Sequence, residues 1–86
     1  MNTSVEISMY PLKEDYKPSI IAFIINLRKY PIIKVNTNVM STQVFGDYKR
    51  VMNAINTEME NTFLNNNAVV FNLKVLNADL EEIPRF

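Results

Sequence analysis

The chain has 86 residues, enough for one domain with a modest core, and its 48% apolar content argues against disorder. Nine basic and nine acidic residues cancel and form no basic block, so charge gives no reason to expect nucleic-acid binding. There is no cysteine and no histidine, which excludes disulfides, thiol nucleophiles, zinc sites built on those residues and a catalytic imidazole.

The longest apolar run, Ile20 to Ile25, is far short of a membrane span, and the opening Met-Asn-Thr-Ser-Val-Glu has no basic region followed by an apolar one. No membrane association and no signal peptide are expected, and the cytoplasm is the default location.

Val5 to Tyr10 alternates as a half-buried strand, with Val5, Ile7 and Met9 on one face and Glu6, Ser8 and Tyr10 on the other. Pro11 should end it, since proline lacks the N–H that a ladder needs. After a charged connection, Lys13 to Lys17, Pro18 fits the first turn of a helix, with Asp15 placed to favour its N-terminus. Ile20, Phe23, Ile24, Leu27 and Tyr30 fall at helical spacing, and Ile21 and Ile25 widen the stripe. Pro31 stops the helix.

Ile32 to Asn38 reads as a second strand with Ile33 and Val35 inward. Thr37 to Met40 reads as a hairpin tip in which Asn38 tolerates the left-handed region. Ser41 to Phe45 is a third strand, with Thr42 and Val44 on one face and Ser41, Gln43 and Phe45 on the other. Gly46 serves the turn that follows, and Asp47 is an N-cap for a second helix carrying Val51, Ile55, Met59 and Phe63 every four residues, with Met52 and Ala54 beside them. Asn65, Asn66 and Asn67 end that helix, one of them expected in the left-handed conformation. Ala68 to Leu76 is a fourth strand with Val69, Phe71, Leu73 and Val75 inward. The remainder, residues 78–86, is an acidic tail expected to be solvated, although Phe86 could dock on a neighbour.

This order folds, through two right-handed crossovers, into an α+β domain: βαββαβ, a four-stranded antiparallel sheet in the order 4-1-3-2 with both helices on one face, the ferredoxin-like arrangement. One domain covers residues 1–86. The uncovered face then carries Glu6, Ser8, Tyr10, Lys34, Asn36, Ser41, Gln43, Phe45, Val70, Asn72, Lys74 and Leu76. That set is too polar for a core, yet contains enough apolar surface to suggest packing of sheet on sheet between subunits. Asn36 to Tyr48 is the most polar stretch and contains the only glycine. A carboxylate, an aromatic ring, amides and hydroxyls on neighbouring central strands suit a flat, cationic, hydrogen-bonding ligand.

Val5-Glu6-Ile7-Ser8-Met9-Tyr10-Pro11-Leu12, the stretch Asn36 to Tyr48 with Met-Ser-Thr-Gln-Val-Phe-Gly-Asp as its most specific part, and the helix continuing Val51-Met52 resemble the YkoF-like thiamine-binding protein family. The resemblance runs from Val5 to about Asn77. It implies a ferredoxin-like domain that packs through its sheets into dimers or tetramers and binds thiamine or its hydroxymethylpyrimidine part without catalysis, thiamine being ligand rather than cofactor. Some members hold two such domains; here a partner subunit would supply the second. Carried over, the neighbourhood of the ligand is Glu6, Ser8, Tyr10, Asn38, Met40, Ser41, Thr42, Gln43 and Phe45, with Asp47 as a possible cation partner.

Plainer roles compete at each position. Asp47 can be only a cap, and Met40 only packing. Glu6 can pair with Lys74 or Lys34 across a subunit interface. Tyr10 and Phe45 can be interface anchors or a stacking pair. Two other functions use the same topology: a cofactor-free enzyme of the dimeric α+β barrel type, whose base could only be Glu6, Asp47, a Tyr or a Lys, and a pure protein-assembly module.

Overall fold

The computed structural model describes residues 1–81. Its elements are β1 (Asn2–Pro11), α1 (Lys17–Leu27), β2 (Lys34–Thr37), β3 (Thr42–Asp47), α2 (Tyr48–Asn65) and β4 (Val69–Leu76). The four strands form one antiparallel sheet in the order β2-β3-β1-β4, the ferredoxin-like arrangement expected from the sequence. Among the described residues no helix is long and apolar enough to cross a membrane.

The core lies between the sheet and the helices. Val5 and Ile7 of β1, Val44 of β3, Phe23 and Leu27 of α1, and Val51, Ala54 and Ile55 of α2 are fully or almost fully buried there. Phe71 of β4 bridges the two helices: its ring lies 5.0 Å from Phe23 and 5.5 Å, edge to face, from Phe63.

Several local details depart from the sequence reading. β1 ends at Pro11 as expected, but Pro11 is itself the last paired residue of the strand, opposite Val69. Ile21 and Ile25 do not widen the buried stripe of α1; they are 54% and 49% exposed. The buried face of α2 runs Val51, Ala54, Ile55, Glu58 and Thr62 rather than straight along Val51, Ile55, Met59 and Phe63, because a strict four-residue step drifts off a 3.6-residue helix. Neither Asn38 nor any of Asn65 to Asn67 is left-handed. The end of α2 is satisfied by side chains instead: Asn65 Nδ2 donates to Asn61 O at 2.7 Å and Asn66 Nδ2 to Thr62 O at 2.8 Å. Asn66 Oδ1 then accepts from Ser19 Oγ and Lys13 Nζ, tying the end of α2 to the start of α1. Val75 faces the helix side, yet is 49% exposed because the helices leave the end of β4 uncovered.

Glu58 is buried on α2 with 7% of its surface exposed. Its carboxylate accepts from Tyr30 Oη at 2.7 Å and from Asn61 Nδ2 at 3.4 Å. The hydrogen bond to Glu58 raises the Tyr30 pKa above its ordinary 10.0, with burial and the negative charge of Glu58 adding to the effect.

Gly46 sits inside β3 with φ +151°, and a Cβ there would stand 3.2 Å from Ile32 O and 3.3 Å from Val51 Cγ2. Its role is therefore close approach of the chain before β2, rather than the turn expected from sequence. Ile32 itself has φ +70°, rare for a β-branched residue.

Gly46→Ala should lower stability by about 1–3 kcal/mol through strain and overpacking, whereas Ile32→Gly, at an exposed side chain, should raise it by about 1 kcal/mol by relieving the left-handed backbone; urea unfolding measures both. Tyr30→Phe should cost about 1.5–3 kcal/mol at neutral pH, by removing a hydrogen bond to a charged acceptor. A raised folded pKa gives stability that is present below the unfolded value of 10.0 and lost as pH rises through the folded one, so the variant should also show a shallower alkaline decline above pH 10.0.

Candidate functional site

The register of β1 with its neighbours decides which candidate residues meet. Glu6 lies opposite Gln43 of β3 and Lys74 of β4, and Ser4 lies opposite Phe45 and Leu76. On the open face these side chains form one network. Gln43 Nε2 donates to Ser41 Oγ at 2.9 Å, Ser41 Oγ donates to Glu6 Oε2 at 3.0 Å, and Lys74 Nζ lies 3.7 Å from Glu6 Oε1. Glu6 thus pairs with Lys74 of its own chain, and its carboxylate stays half exposed. Lys34, the other candidate partner, pairs instead with Glu81.

A cleft of about 350 Å³ opens beside this network, lined by Ser4, Glu6, Gln43, Phe45, Lys74 and Leu80 among others. Leu80 of the tail makes its far wall; the described tail residues, 77–81, are exposed as expected, but they are anchored to the sheet. Ser4 Oγ donates to Ala78 O at 2.6 Å and accepts from Leu80 N at 2.9 Å, and Glu81 reaches Lys34 on the far side of the sheet. The chain after β4 therefore crosses the open face, and Phe45 is left only 8% exposed although it points away from the helices. The expected docking of Phe86 lies outside the described residues.

A second depression, about 500 Å³, lies at the hairpin end and takes Ser8, Tyr10, Asn38, Met40 and Ser41, with Tyr16, Ile20 and Ile24 of the α1 region as its apolar wall. It exists because β1 outruns β3. The β3 ladder covers Asn2 to Ile7, while the β4 ladder continues to Pro11. Leu12 N donates to Ala68 O, and Tyr48 N to Met1 O, both at 2.9 Å. Peptide groups alternate sides along a strand, so the even-numbered residues of β1 face β4 and the odd-numbered face β3. Met9 therefore turns its N–H and C=O into the gap, where the described structure gives them no backbone partner. The hairpin is held off by Asn38, whose Oδ1 accepts from Met40 N at 2.8 Å and Ser41 N at 3.0 Å, an Asx turn.

The candidate neighbourhood is thus divided. Glu6, Gln43 and Phe45 line the open-face cleft; Ser8, Tyr10, Asn38, Met40 and Ser41 line the hairpin groove; and the hydrogen bonds of Ser41 link the two. Tyr10 and Phe45 do not form a stacking pair. Phe45 is opposite Ser4, which places the two rings about 20 Å apart along the sheet at ~3.3 Å per residue. Thr42 faces the core, buried, with Oγ1 3.0 Å from Thr37 Oγ1. Asp47 caps α2 through Arg50 N at 3.3 Å and sits near the terminal ammonium, at the opposite end of β3 from the hairpin. Ser4, Leu80 and the Met9 peptide escaped the sequence reading. Ser4 continues the alternation of Glu6 and Ser8 one step further, and starting the strand at Asn2 would have found it. Among the described residues no group of three or more acidic side chains gathers to hold a metal ion.

No family model and no curated protein matches the chain. Solved structures do. A hypothetical protein of Methanocaldococcus jannascii superposes with TM-score 0.79 at 25% identity, over 94% of this chain and 84% of that one. A Thermotoga maritima protein provisionally assigned to thiamine biosynthesis or salvage gives TM-score 0.79 at 17% identity, over 99% and 91%. A domain of unknown function, DUF77, from Bacillus cereus gives TM-score 0.76 at 10% identity, over 99% and 84%. These likenesses establish the class, a ferredoxin-like domain of the shape shared by these three proteins.

The strap makes a specific prediction. In Ser4→Ala the Leu80 amide loses its acceptor, so its hydrogen exchange should accelerate by at least tenfold while amides of β1 and β3 keep their protection. Unchanged exchange at Leu80 would show that Ser4 does not hold the tail.

Proposed function

We propose that the protein binds thiamine, or its hydroxymethylpyrimidine part, without turning it over, and that it does so as a homo-oligomer packed through the open sheet face. The observation that carries this reading is the hairpin groove with the Met9 peptide turned into it. A peptide N–H beside a C=O matches the ring nitrogen and amino group of an aminopyrimidine, an acceptor beside a donor. Tyr10 and Tyr16 supply aromatic walls for a flat ring. Glu6, hydrogen-bonded to Ser41 at the groove margin, supplies a half-exposed carboxylate on the side where the positive thiazolium would extend. The thiamine assignment of the Thermotoga neighbour and the resemblance carried by Asn36 to Tyr48 point to the same ligand class. Tyr10 and Val70, opposite one another and both about half exposed, give the open face an apolar patch beyond the strap for a second subunit. Net charge is zero, so nothing opposes that contact at long range.

Thermal unfolding at fixed protein concentration tests the reading. Thiamine at about 100 times its dissociation constant should add roughly 2.7 kcal/mol, a rise of several degrees for a domain of this size. Ser41→Ala and Glu6→Gln should each weaken binding about tenfold, through loss of a charge-assisted hydrogen bond. No rise with thiamine, hydroxymethylpyrimidine or thiamine phosphate rejects the ligand class. Steady consumption of the ligand, lost in Glu6→Gln, replaces the binder with an enzyme.

A further inference from the structure

The two edges of the sheet differ. β2 is a 4-residue edge, whereas β4 presents 8 residues. The pairing of Leu12 with Ala68 fixes the parity of β4: Val70, Asn72, Lys74 and Leu76 turn their peptide groups to β1, so Val69, Phe71, Leu73 and Val75 turn theirs outward. Among the described residues nothing pairs with that outer row. The strand contains no proline or glycine, its register with β1 runs without a bulge, and its one charge, Lys74, is directed to Glu6 on the open face. Of the devices that ordinarily blunt an edge strand, β4 carries only Lys74. Apolar side chains flank it on both faces: Val75 and Val70 are each 49% exposed and Leu76 is 42% exposed.

We propose that this edge is a self-association surface, on which two copies of the chain pair antiparallel through β4 about a two-fold axis at Leu73 and continue the sheet from one subunit into the next. A second copy is the occupant that the strand itself specifies. In this register the outward peptide groups of Phe71 meet those of Val75 of the partner subunit, and Leu73 meets its own equivalent. On the open face Val70 meets Leu76 of the partner subunit, and Asn72 meets Lys74 of the partner subunit. Val70, Phe71, Leu73, Val75 and Leu76 thus each face an apolar residue, and no charge opposes a like charge. Centring on Asn72 also satisfies the peptide groups but sets Val70 against Lys74 of the partner subunit, which favours the Leu73 axis. The pairing is closed at two copies, because each edge is used once. It shares Val70 with the apolar patch of the open face, but its hydrogen bonds come from the outward peptide groups of Phe71, Leu73 and Val75, and it does not depend on any ligand.

Sedimentation of the full chain tests this. Val75→Pro removes an N–H that β1 does not use, and Val75→Lys adds a charge at the edge without altering the backbone; both should keep the far-UV circular dichroism of the wild type and sediment at half its mass. The chain has no cysteine, so the double variant Val70→Cys with Leu76→Cys can form disulfides only with another copy: the two positions are six residues apart on one strand, yet opposed across the proposed axis at a Cα spacing of about 4.5 Å. Oxidation should convert it to a covalent dimer. The proposal is overturned by a wild type that is monomeric at micromolar concentration, by a mass unchanged in both Val75 variants, or by a double variant that stays single-chain on oxidation. An assembly held only through the open face gives the second of these results while leaving thiamine binding intact.

Discussion

The pairing of β1 with β3 is the constraint on which the rest depends. Side chains alternate with a period of two, so a slip of one residue would drive Ser4 and Glu6 into the core and expose Val5 and Ile7. The register is pinned at both ends. At one end Gly46, which has no Cβ, lets the carbonyl of Ile32 approach β3, at the expense of a left-handed Ile32. At the other, Asn38 folds the hairpin into an Asx turn and stops the ladder at Ile7. Glu6 therefore meets Gln43, and Met9 meets nothing in the ladder.

The same parity explains Pro11. As an odd-numbered residue it turns its nitrogen toward the gap rather than toward β4, so its missing N–H removes no bond from the β4 ladder. The proline and the free Met9 peptide are two consequences of one arrangement: β1 is paired on both sides up to Ile7 and on one side beyond it. A strand end of this kind leaves backbone donors and acceptors beside a half-apolar hollow, and this chain offers no comparable combination of polar edge and apolar wall on its open-face cleft, where side chains already satisfy one another.

The topology, the alternation of every strand and the Asp47 cap were legible in the sequence because each rests on local periodicity or on one side chain acting on the next turn. The misses were of another kind. Ile21 and Ile25 look like core because hydrophobicity does not say how wide a stripe the sheet can cover. Glu58 is invisible as a core residue until Tyr30, from a different element, is seen to supply its hydrogen. For the site, alternation gives the face of a side chain but not its height along the sheet. Antiparallel pairing runs the strands in opposite senses, so Phe45 ended beside Ser4 and far from Tyr10. The tail has no periodicity, and its path depends on a hydroxyl more than seventy positions away in sequence.

That tail changes what the open face can do. It is held among the described residues chiefly by polar contacts: the Ser4 hydroxyl, which both donates and accepts, and the ion pair of Glu81 with Lys34. A hydrogen bond contributes about 0.5–1.5 kcal/mol net and an exposed ion pair about 1 kcal/mol or less, so the strap can open without unfolding the sheet beneath it. Phe45 is accordingly exposed only in a minor population, and anything that packs on it has its affinity reduced by the fraction of molecules in that state. The hairpin groove bears no such cost, because its walls come from residues 7–12, the α1 region and the hairpin, away from the strap's anchors at Ser4 and Lys34. The groove is thus ready in the free chain, whereas the Phe45 half of the open face is conditional on displacing residues 77–81.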